Sequence, residues 1–203
     1  MKRRTLDIIF AVGGLLVALL ILVLGLVLQN QADFAKNYVH NQLAQQKISF
    51  TPAQFLAADE NHPCLKTNAG KQLVTGAQAQ CYANHYIGVH VKAINDGKTY
   101  SETSSDARAL DAKLAAMPDQ KSAEAKQLAA QAAALHGKAT TLFQGETLRG
   151  LLLTSYGFSI FGERAQQAAD VCFALALVLF LAAIAGFIHA ATKKADHVIL
   201  SEA

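Results

Sequence analysis

The chain has 203 residues, of which 52% are apolar and only 16% are charged, and its formal net charge is +3. Soluble domains carry about 25% charged residues, so the low charge and the positive mean hydropathy exclude an ordinary cytosolic domain and a disordered chain. The small, dispersed positive charge excludes a nucleic-acid partner. These quantities indicate a membrane protein, and they point to no activity.

Two apolar runs, residues 8–28 and 171–191, lie near the two ends of the chain. As a helix each run covers about 31 Å, which matches the hydrocarbon core of a bilayer. A cleaved signal peptide is the alternative for the first run. Such a peptide has an apolar stretch of about 7–15 residues and a small-residue cleavage site, whereas this run is longer and is followed by Gln29 and Asn30. We therefore expect an uncleaved anchor.

Basic residues predict the orientation of the two spans. Lys2, Arg3 and Arg4 precede the first span, and Lys193 and Lys194 follow the second. Because basic residues are retained on the cytoplasmic side, both termini are predicted to be cytoplasmic. The predicted fold class is an all-α plasma-membrane protein in which two transmembrane helices flank an extracytoplasmic helical-bundle domain. The predicted segments are a cytoplasmic N-terminus (1–7), a first transmembrane helix (8–28), the extracytoplasmic domain (29–167), a second transmembrane helix (168–191) and a cytoplasmic tail (192–203).

Two of the three cysteines, Cys64 and Cys81, lie in the predicted extracytoplasmic domain. A cysteine pair in an exported segment usually forms a disulfide. A metal site is the weaker interpretation, because the spacing matches no common zinc pattern and only His62 and His85 lie near. Cys172 is predicted to be a small apolar residue inside the second span. We expect no metal and no cofactor.

The first helix is predicted to continue beyond the membrane to about residue 47, because residues 29–47 contain no Pro or Gly and keep apolar residues at helical spacing. Small residues also recur every seven positions along it, a pattern that lets another helix approach closely. The predicted helix-packing residues are Gly14, Ala18 and Gly25 in the first span and Ala182, Gly186 and Ala190 in the second.

The sequence in the middle of the chain predicts short helices. Thr51 and Pro52 resemble a helix start, the segment 61–63 ends that helix, and residues 64–75 are predicted to be a loop. Residues 76–95 are interpreted as a helix that stops at Gly97. A hairpin is the alternative, because apolar residues alternate in residues 87–91.

Two amphipathic helices on either side of Pro118, the first capped by Ser104 or Ser105, predict an antiparallel helical hairpin. The apolar segment 150–162 is too short to span a bilayer. It is interpreted as protein core, as a membrane-surface segment or as a docking surface. Its candidate interface residues are Leu151, Leu152, Leu153, Tyr156, Phe158 and Phe161.

Common catalytic and nucleotide-binding motifs do not occur in the sequence, so no catalytic residue is predicted. His85 and His90 are five positions apart and on a helix could not share a metal. Four side chains could gather near the predicted disulfide, either as a functional cluster or, as the main interpretation, as ordinary polar surface: His62, His85, Tyr82 and Tyr86.

Three stretches of the chain, MKRRTLDIIF, LVLQNQADFAKNYVHNQLAQQKISF and ETLRGLLLTSYGFSIFGERAQQAA, resemble a family of uncharacterised actinobacterial membrane proteins with two spans around an exported helical domain. The similarity covers nearly the whole chain. The family has no established activity, so the resemblance implies a location and an architecture and assigns no functional residue.

The leading hypothesis is therefore a non-enzymatic envelope protein that acts as a scaffold, assembly or accessory subunit of another membrane complex. Its expected partners are the lipid bilayer and either a membrane protein or a second copy of the chain. An extracytoplasmic ligand-sensing domain that signals through a partner is the alternative, since the layout resembles helical chemoreceptor ectodomains. An enzyme or redox protein that uses the cysteine pair is the third class.

Overall fold

A computed structural model describes residues 3–192, and within that range the chain is helical and contains no strand. Lys2 and residues 193–203, which make up all of the predicted tail except Thr192, lie outside the described residues, and Lys193 and Lys194 are among them. Two 3₁₀ turns, Ala53–Phe55 and Ala58–Glu60, and one π-helical segment, Ala83–Ile87, accompany six α-helices. The α-helices are α1 (Arg3–Gln45), α2 (Pro63–Asn68), α3 (Gly76–Tyr82), α4 (Gly88–Ile94), α5 (Tyr100–Ala115) and α6 (Ala123–Thr192).

The chain divides into two compact units. The first, called here the helix-pair unit, consists of Met1–Asn37 and Ile160–Ala203, and its described part is formed by the outer portions of α1 and α6. The second, called here the central unit, is Tyr38–Ser159 and contains α2 to α5 together with the inner portions of the two long helices.

In the helix-pair unit, α1 and α6 pack antiparallel through small residues. A Cβ built on Gly186 would lie 3.2 Å from Cβ of Ala11, and one built on Gly162 would lie 2.8 Å from Cβ of Ala35. Residues early in α1 therefore contact residues late in α6, and later residues of α1 contact earlier residues of α6. The buried alanines follow the seven-residue repeat on both helices: Ala11, Ala18 and Ala32 on α1, and Ala169, Ala176, Ala183 and Ala190 on α6. Side chains this small allow the two backbones to approach closely.

Five of the six predicted helix-packing residues lie on or beside this contact, among them Gly14, which faces Ala183. Gly25 is covered by the ring of Phe173. Ala182 is exposed and lies outside the contact. Ala183, one position later, occupies the buried position of the seven-residue repeat.

α1 and α6 are each long enough and apolar enough to cross a membrane. Their most apolar 18-residue windows are only 17% and 11% buried in the structure, so the large side chains of these windows point away from the protein. The core helix of a soluble protein has the opposite property, since burial removes such side chains from water.

The central unit encloses the hydrophobic core. Its fully or nearly buried members come from the end of α1, the segment after α1, α2, the segment before α3, α3, the π-helical segment and α6: Val39, Leu43, Phe50, Leu65, Leu73, Ala79, Cys81, Ala83 and Leu152. The segments after α1 and before α3 pair through backbone hydrogen bonds, in which Leu73 N donates to Ile48 O (2.8 Å) and Phe50 N donates to Lys71 O (2.9 Å).

A buried polar network joins α4, α5 and α6. Asn95 Nδ2 donates to Thr103 Oγ1 (2.9 Å), and Lys138 Nζ donates to Asn95 Oδ1 (3.0 Å). Asn95 and Thr103 are 7% and 0% exposed. Because buried polar groups must find partners, this network fixes the end of α4 against the helical hairpin.

The structure confirms several predictions in the middle of the chain and corrects others. Residues 76–94 are helical, and the chain leaves the helix through two left-handed residues, Asp96 (φ 50°) and the predicted stop Gly97 (φ 80°), whose N–H donates to Lys92 O (2.8 Å). The hairpin of α5 and α6 is present, but its cap is Thr99, because α5 begins at Tyr100. The predicted loop 64–75 begins with α2, and the predicted helix after Pro52 is two 3₁₀ turns.

The largest difference between the predicted and the observed elements lies in the C-terminal part of the described chain. The second hairpin helix, the segment 150–162 and the second apolar run are one continuous helix, α6, of 70 residues. The sequence from Ala123 to Thr192 contains no proline, so no residue in it removes a backbone donor.

Candidate functional site

Local sequence places the first half of the candidate site at the start of α2. His62 is the N-cap of this helix, with Pro63 at the first helical position, where a missing N–H costs nothing. His62 Nδ1 accepts a hydrogen bond from Cys64 N (3.3 Å) and lies 3.2 Å from Cys64 Sγ. The imidazole is therefore held beside the sulfur by the helix cap.

The second half of the site lies on α3 and the π-helical segment. Thr75 caps α3 in a capping box with Gln78, and Gln78 Nε2 donates to Asn68 Oδ1 at the end of α2 (3.2 Å). The helix then widens into the π-helical segment, in which Gly88 N donates to Ala83 O. Such insertions are frequent at functional sites.

The two halves meet at a disulfide and a pair of stacked imidazoles. Cys64 and Cys81 are disulfide-bonded, with their Cα atoms 6.1 Å apart, so the predicted disulfide is confirmed. The rings of His62 and His85 stack with centroids 3.4 Å apart and planes 9° apart. One ligand atom from each of His62, Cys64 and His85 lies within 4.8 Å of the others.

Burial, followed by the neighbouring His62, lowers the pKa of His85. The electrostatic part has a simple cause, because positive charge on the stacked His62 ring disfavours the charged form of His85. The pKa shift therefore favours the neutral form of the His85 imidazole, which is the form that binds metal ions.

An open cavity of about 540 Å³ surrounds the disulfide and the imidazoles. Its size falls in the range of small-molecule sites, roughly 300–1,000 Å³. Most of its lining residues carry a polar group, and they include His62, Cys64, Asn68, Gln80, Asn84 and His85.

A row of aromatic side chains runs along α3, the π-helical segment and α4. The ring of Tyr82 contacts Phe50 edge-on (5.3 Å) and stacks on Tyr86 (4.6 Å), which in turn contacts His90 (4.6 Å). Burial, followed by Tyr86 and Glu60, raises the pKa of Tyr82 to about 12. Tyr82 therefore stays a neutral packing group well into the alkaline range, beyond the ordinary tyrosine pKa of about 10.

Glu60 is a nearly buried carboxylate at the end of this row, with 5% of its surface exposed. Its Oε1 lies 3.2 Å from His90 Nε2, and its Oε2 accepts a hydrogen bond from Ala57 N (3.0 Å). His90 Nδ1 lies 2.8 Å from the carbonyl of Tyr86. These partners satisfy the carboxylate and hold it away from the cavity.

Sequence reasoning anticipated part of this site. Of the four side chains predicted to gather near the disulfide, His62 and His85 stack on each other in the cavity wall beside it, whereas Tyr82 and Tyr86 stack on each other in the separate aromatic row. The contact between Glu60 and His90 was missed, because thirty positions separate the two residues in sequence. The spacing of four between Cys81 and His85 was also passed over, although on a helix it places two ligands on one side.

The candidate interface residues of α6 divide between two environments. Leu152 is buried in the core of the central unit, Leu153 packs against that core, and Tyr156 is half-buried. Leu151 and Phe161 are 63% and 75% exposed, and Phe158 is 37% exposed and contacts Tyr38 edge-on. The segment 150–162 is therefore partly core, and its other apolar residues lie at the surface.

Comparison of the chain with protein-family models, curated proteins and solved structures finds no match in any of the three. The resemblance to a two-span actinobacterial family therefore remains a prediction from the sequence.

Proposed function

We propose that this protein is a two-span membrane protein whose central unit lies outside the cytoplasm and acts as a non-enzymatic scaffold, assembly or accessory subunit of a membrane complex. In this proposal, α1 and α6 cross the bilayer once each, and both chain termini are cytoplasmic.

The exposed apolar surface of the helix-pair unit supports the membrane location. On α1, Phe10 and Leu20 are each 71% exposed, and on α6, Val178 is 62% exposed. Contiguous apolar surface of this extent is unfavourable in water and is what the hydrocarbon core of a bilayer accepts. The disulfide supports export, because such bonds persist in oxidising compartments.

The accessory role rests on one observation, an exposed apolar face of α6 within the central unit. Leu148 and Leu151 lie three residues apart and therefore on one side of the helix, and they are 37% and 63% exposed. Apolar faces rimmed by polar residues are typical of protein–protein contacts.

Photo-crosslinking in native membranes tests this role. A photoreactive amino acid at Leu151 should yield one discrete adduct with a partner protein or a second copy of the chain. The same amino acid at Gln131, an exposed polar position of α6, is the control. In a separate co-purification experiment, Leu151→Glu should release the partner. Equal adducts at Leu151 and Gln131 would contradict the proposal.

Topology is tested separately by fusing a reporter that is active only in the cytoplasm to each terminus. Activity at both ends is the expected result. A mature protein that begins after residue 28 would contradict the first span.

The cavity beside the disulfide favours a second candidate function, an extracytoplasmic ligand-sensing domain that signals through a partner. The supporting observation is the set of polar groups that line the 540 Å³ cavity. A ligand from a metabolite panel should raise the apparent Tm of the purified full chain. Asn84→Leu, which places an apolar group in the wall, should abolish the rise, and an unchanged Tm across the panel would count against sensing.

A further inference from the structure

The disulfide and the stacked imidazoles bring together four residues that have the donor atoms of a zinc site. They form two pairs in sequence, His62 with Cys64 and Cys81 with His85, which are separated by sixteen residues. The separation of the pairs lies within the roughly 12–20 residues found between the ligand pairs of common zinc sites, although His62 and Cys64 are closer in sequence than the members of such a pair usually are. Two imidazoles and two thiolates are one of the standard tetrahedral ligand sets for this metal.

The backbone positions of both pairs suit coordination. Cys81 and His85 are four residues apart and lie on one side of the helix formed by α3 and the π-helical segment. His62 and Cys64 are held together by the start of α2, with Nδ1 and Sγ 3.2 Å apart. In a tetrahedral zinc site, bonds of about 2.0 Å to nitrogen and 2.3 Å to sulfur place these two atoms about 3.5 Å apart.

We propose that His62, Cys64, Cys81 and His85 form a redox-controlled site for Zn²⁺ or a similar thiophilic metal ion. In the oxidised chain the sulfurs are bonded to each other and supply no thiolate. In the reduced chain the same two sulfurs and the two imidazoles bind the metal. This inference is independent of the membrane role and of the sensing role, because it concerns metal binding by the purified chain.

The change between the two states balances as a thiol–disulfide exchange followed by coordination. A dithiol reductant gives two electrons and two protons to the Cys64–Cys81 bond, which breaks into two thiols, and the reductant becomes a disulfide. The thiols then release two protons as two metal–sulfur bonds form, while the two neutral imidazoles each donate a nitrogen lone pair.

The surroundings allow the required motion. His85 lies in the wall of the open cavity, so its ring can turn from the stack toward the sulfurs. The His62 ring also borders the cavity. Cys81 is fixed in the core by the packing of α3, and it therefore provides the rigid side of the site.

The test uses the full chain in detergent with Cys172→Ala, so that only two thiols can form. The chain is reduced with a water-soluble phosphine, which becomes a phosphine oxide, and is titrated with Zn²⁺ against a colorimetric chelator. One Zn²⁺ per reduced chain is expected. Co²⁺ should give the visible d–d bands of a tetrahedral site together with near-ultraviolet sulfur-to-metal charge-transfer bands, and the charge-transfer bands require thiolate ligands.

Variants separate ligands from residues that only support the fold. His85→Ala and Cys64→Ser should each weaken Zn²⁺ binding by more than the roughly 10–100-fold that loss of a supporting residue costs. His85→Cys replaces one zinc ligand by another and should restore binding. His136→Asn, which changes an exposed histidine paired with Asp111, is the matched control and should bind as the parent does.

Several results would overturn the proposal: no binding by the reduced parent chain, equal affinity in the oxidised and reduced chains, or parent-like affinity in His85→Ala. Failure of His85→Cys to restore binding in a chain whose circular dichroism is unchanged would also overturn it.

Discussion

Gly76, the first residue of α3, lies directly against Ser159 of α6. A Cβ on Gly76 would overlap Oγ and Cβ of Ser159 and would lie 3.3 Å from Cα of Tyr156. The absence of a side chain at this position thus allows α3, which carries Cys81, to pack on the backbone of α6.

We expect Gly76→Ala to destabilise the central unit by about 1–3 kcal/mol or more, because the added methyl group meets backbone as well as side chain. Gly137→Ala is the matched control. A Cβ at Gly137 has no atom within 4 Å, and a helical glycine replaced by alanine gains up to about 1 kcal/mol. Thermal unfolding of both variants by circular dichroism should shift in opposite directions, and equal shifts would contradict the close contact at Gly76.

The buried network around Asn95 gives a second prediction. Thr103→Val keeps the size of the side chain but leaves Asn95 Nδ2 without its acceptor at a buried position. An unsatisfied buried group costs about 1–3 kcal/mol. Thr140→Val, at an exposed position of α6 where the hydroxyl bonds only to the helix backbone at His136 O, should have a much smaller effect. The difference between the apparent Tm values of Thr103→Val and Thr140→Val measures how much the buried network contributes to stability.

The start of α5 should be sensitive to acid. The backbone N–H of Thr99 and then its hydroxyl donate to the Glu102 carboxylate, and these hydrogen bonds lower the pKa of Glu102 below 4.5. A folded-state pKa below the unfolded value stabilises the fold above the unfolded pKa, and this contribution is lost as the pH falls through the folded pKa.

Glu102→Gln should therefore reduce the loss of stability that occurs as the pH falls below the ordinary glutamate pKa of about 4.3. Thr99→Ser keeps the hydroxyl donor and should retain the parent pH dependence. Thermal unfolding at a series of pH values checks both variants. An unchanged pH profile in Glu102→Gln would show that the cap contributes nothing.

The disulfide should contribute measurably to the stability of the central unit. Its cysteines are 17 positions apart, and closing a loop of this size stabilises a fold by about 3 kcal/mol in the chain-entropy model. We expect the double change Cys64→Ala and Cys81→Ala to lower the apparent Tm in metal-free buffer. Cys172→Ala should leave it close to the parent value, and equal effects of the two changes would contradict a stabilising disulfide.

Periodicity and local signals predicted much of the fold. The small residues of α1 from Ala11 to Val39 keep one register, and the structure buries Ala11, Ala18, Ala32, Ala35 and Val39 along it. Gly97 identified a helix end because few other residues accept a φ of 80°. Both signals depend on residues close in sequence.

The remaining features depend on contacts that local patterns do not contain. The continuity of α6 was missed because polar and apolar segments alternate along it, although its sequence has no helix-breaking proline. Thr99 was passed over as a cap because its partner, Glu102, is recognised only once the helix start is known. The stacking of His62 on His85 requires α2 and α3 to fold together, which the sequence spacing of 23 does not reveal.

The buried alanines of the helix-pair unit recur every seven residues on both helices. If one helix slid along the other by one heptad, about 10 Å, small residues would again face small residues. Phe173 prevents this slip. Its ring fills the space left by Gly25, and after such a slide it would collide with the methyl group of Ala18 or Ala32. The hydrogen bond from Gln166 Nε2 to Gln29 Oε1 (2.7 Å) would break in the same step. One bulky ring and one amide pair thus favour the observed register over the two that lie one heptad away.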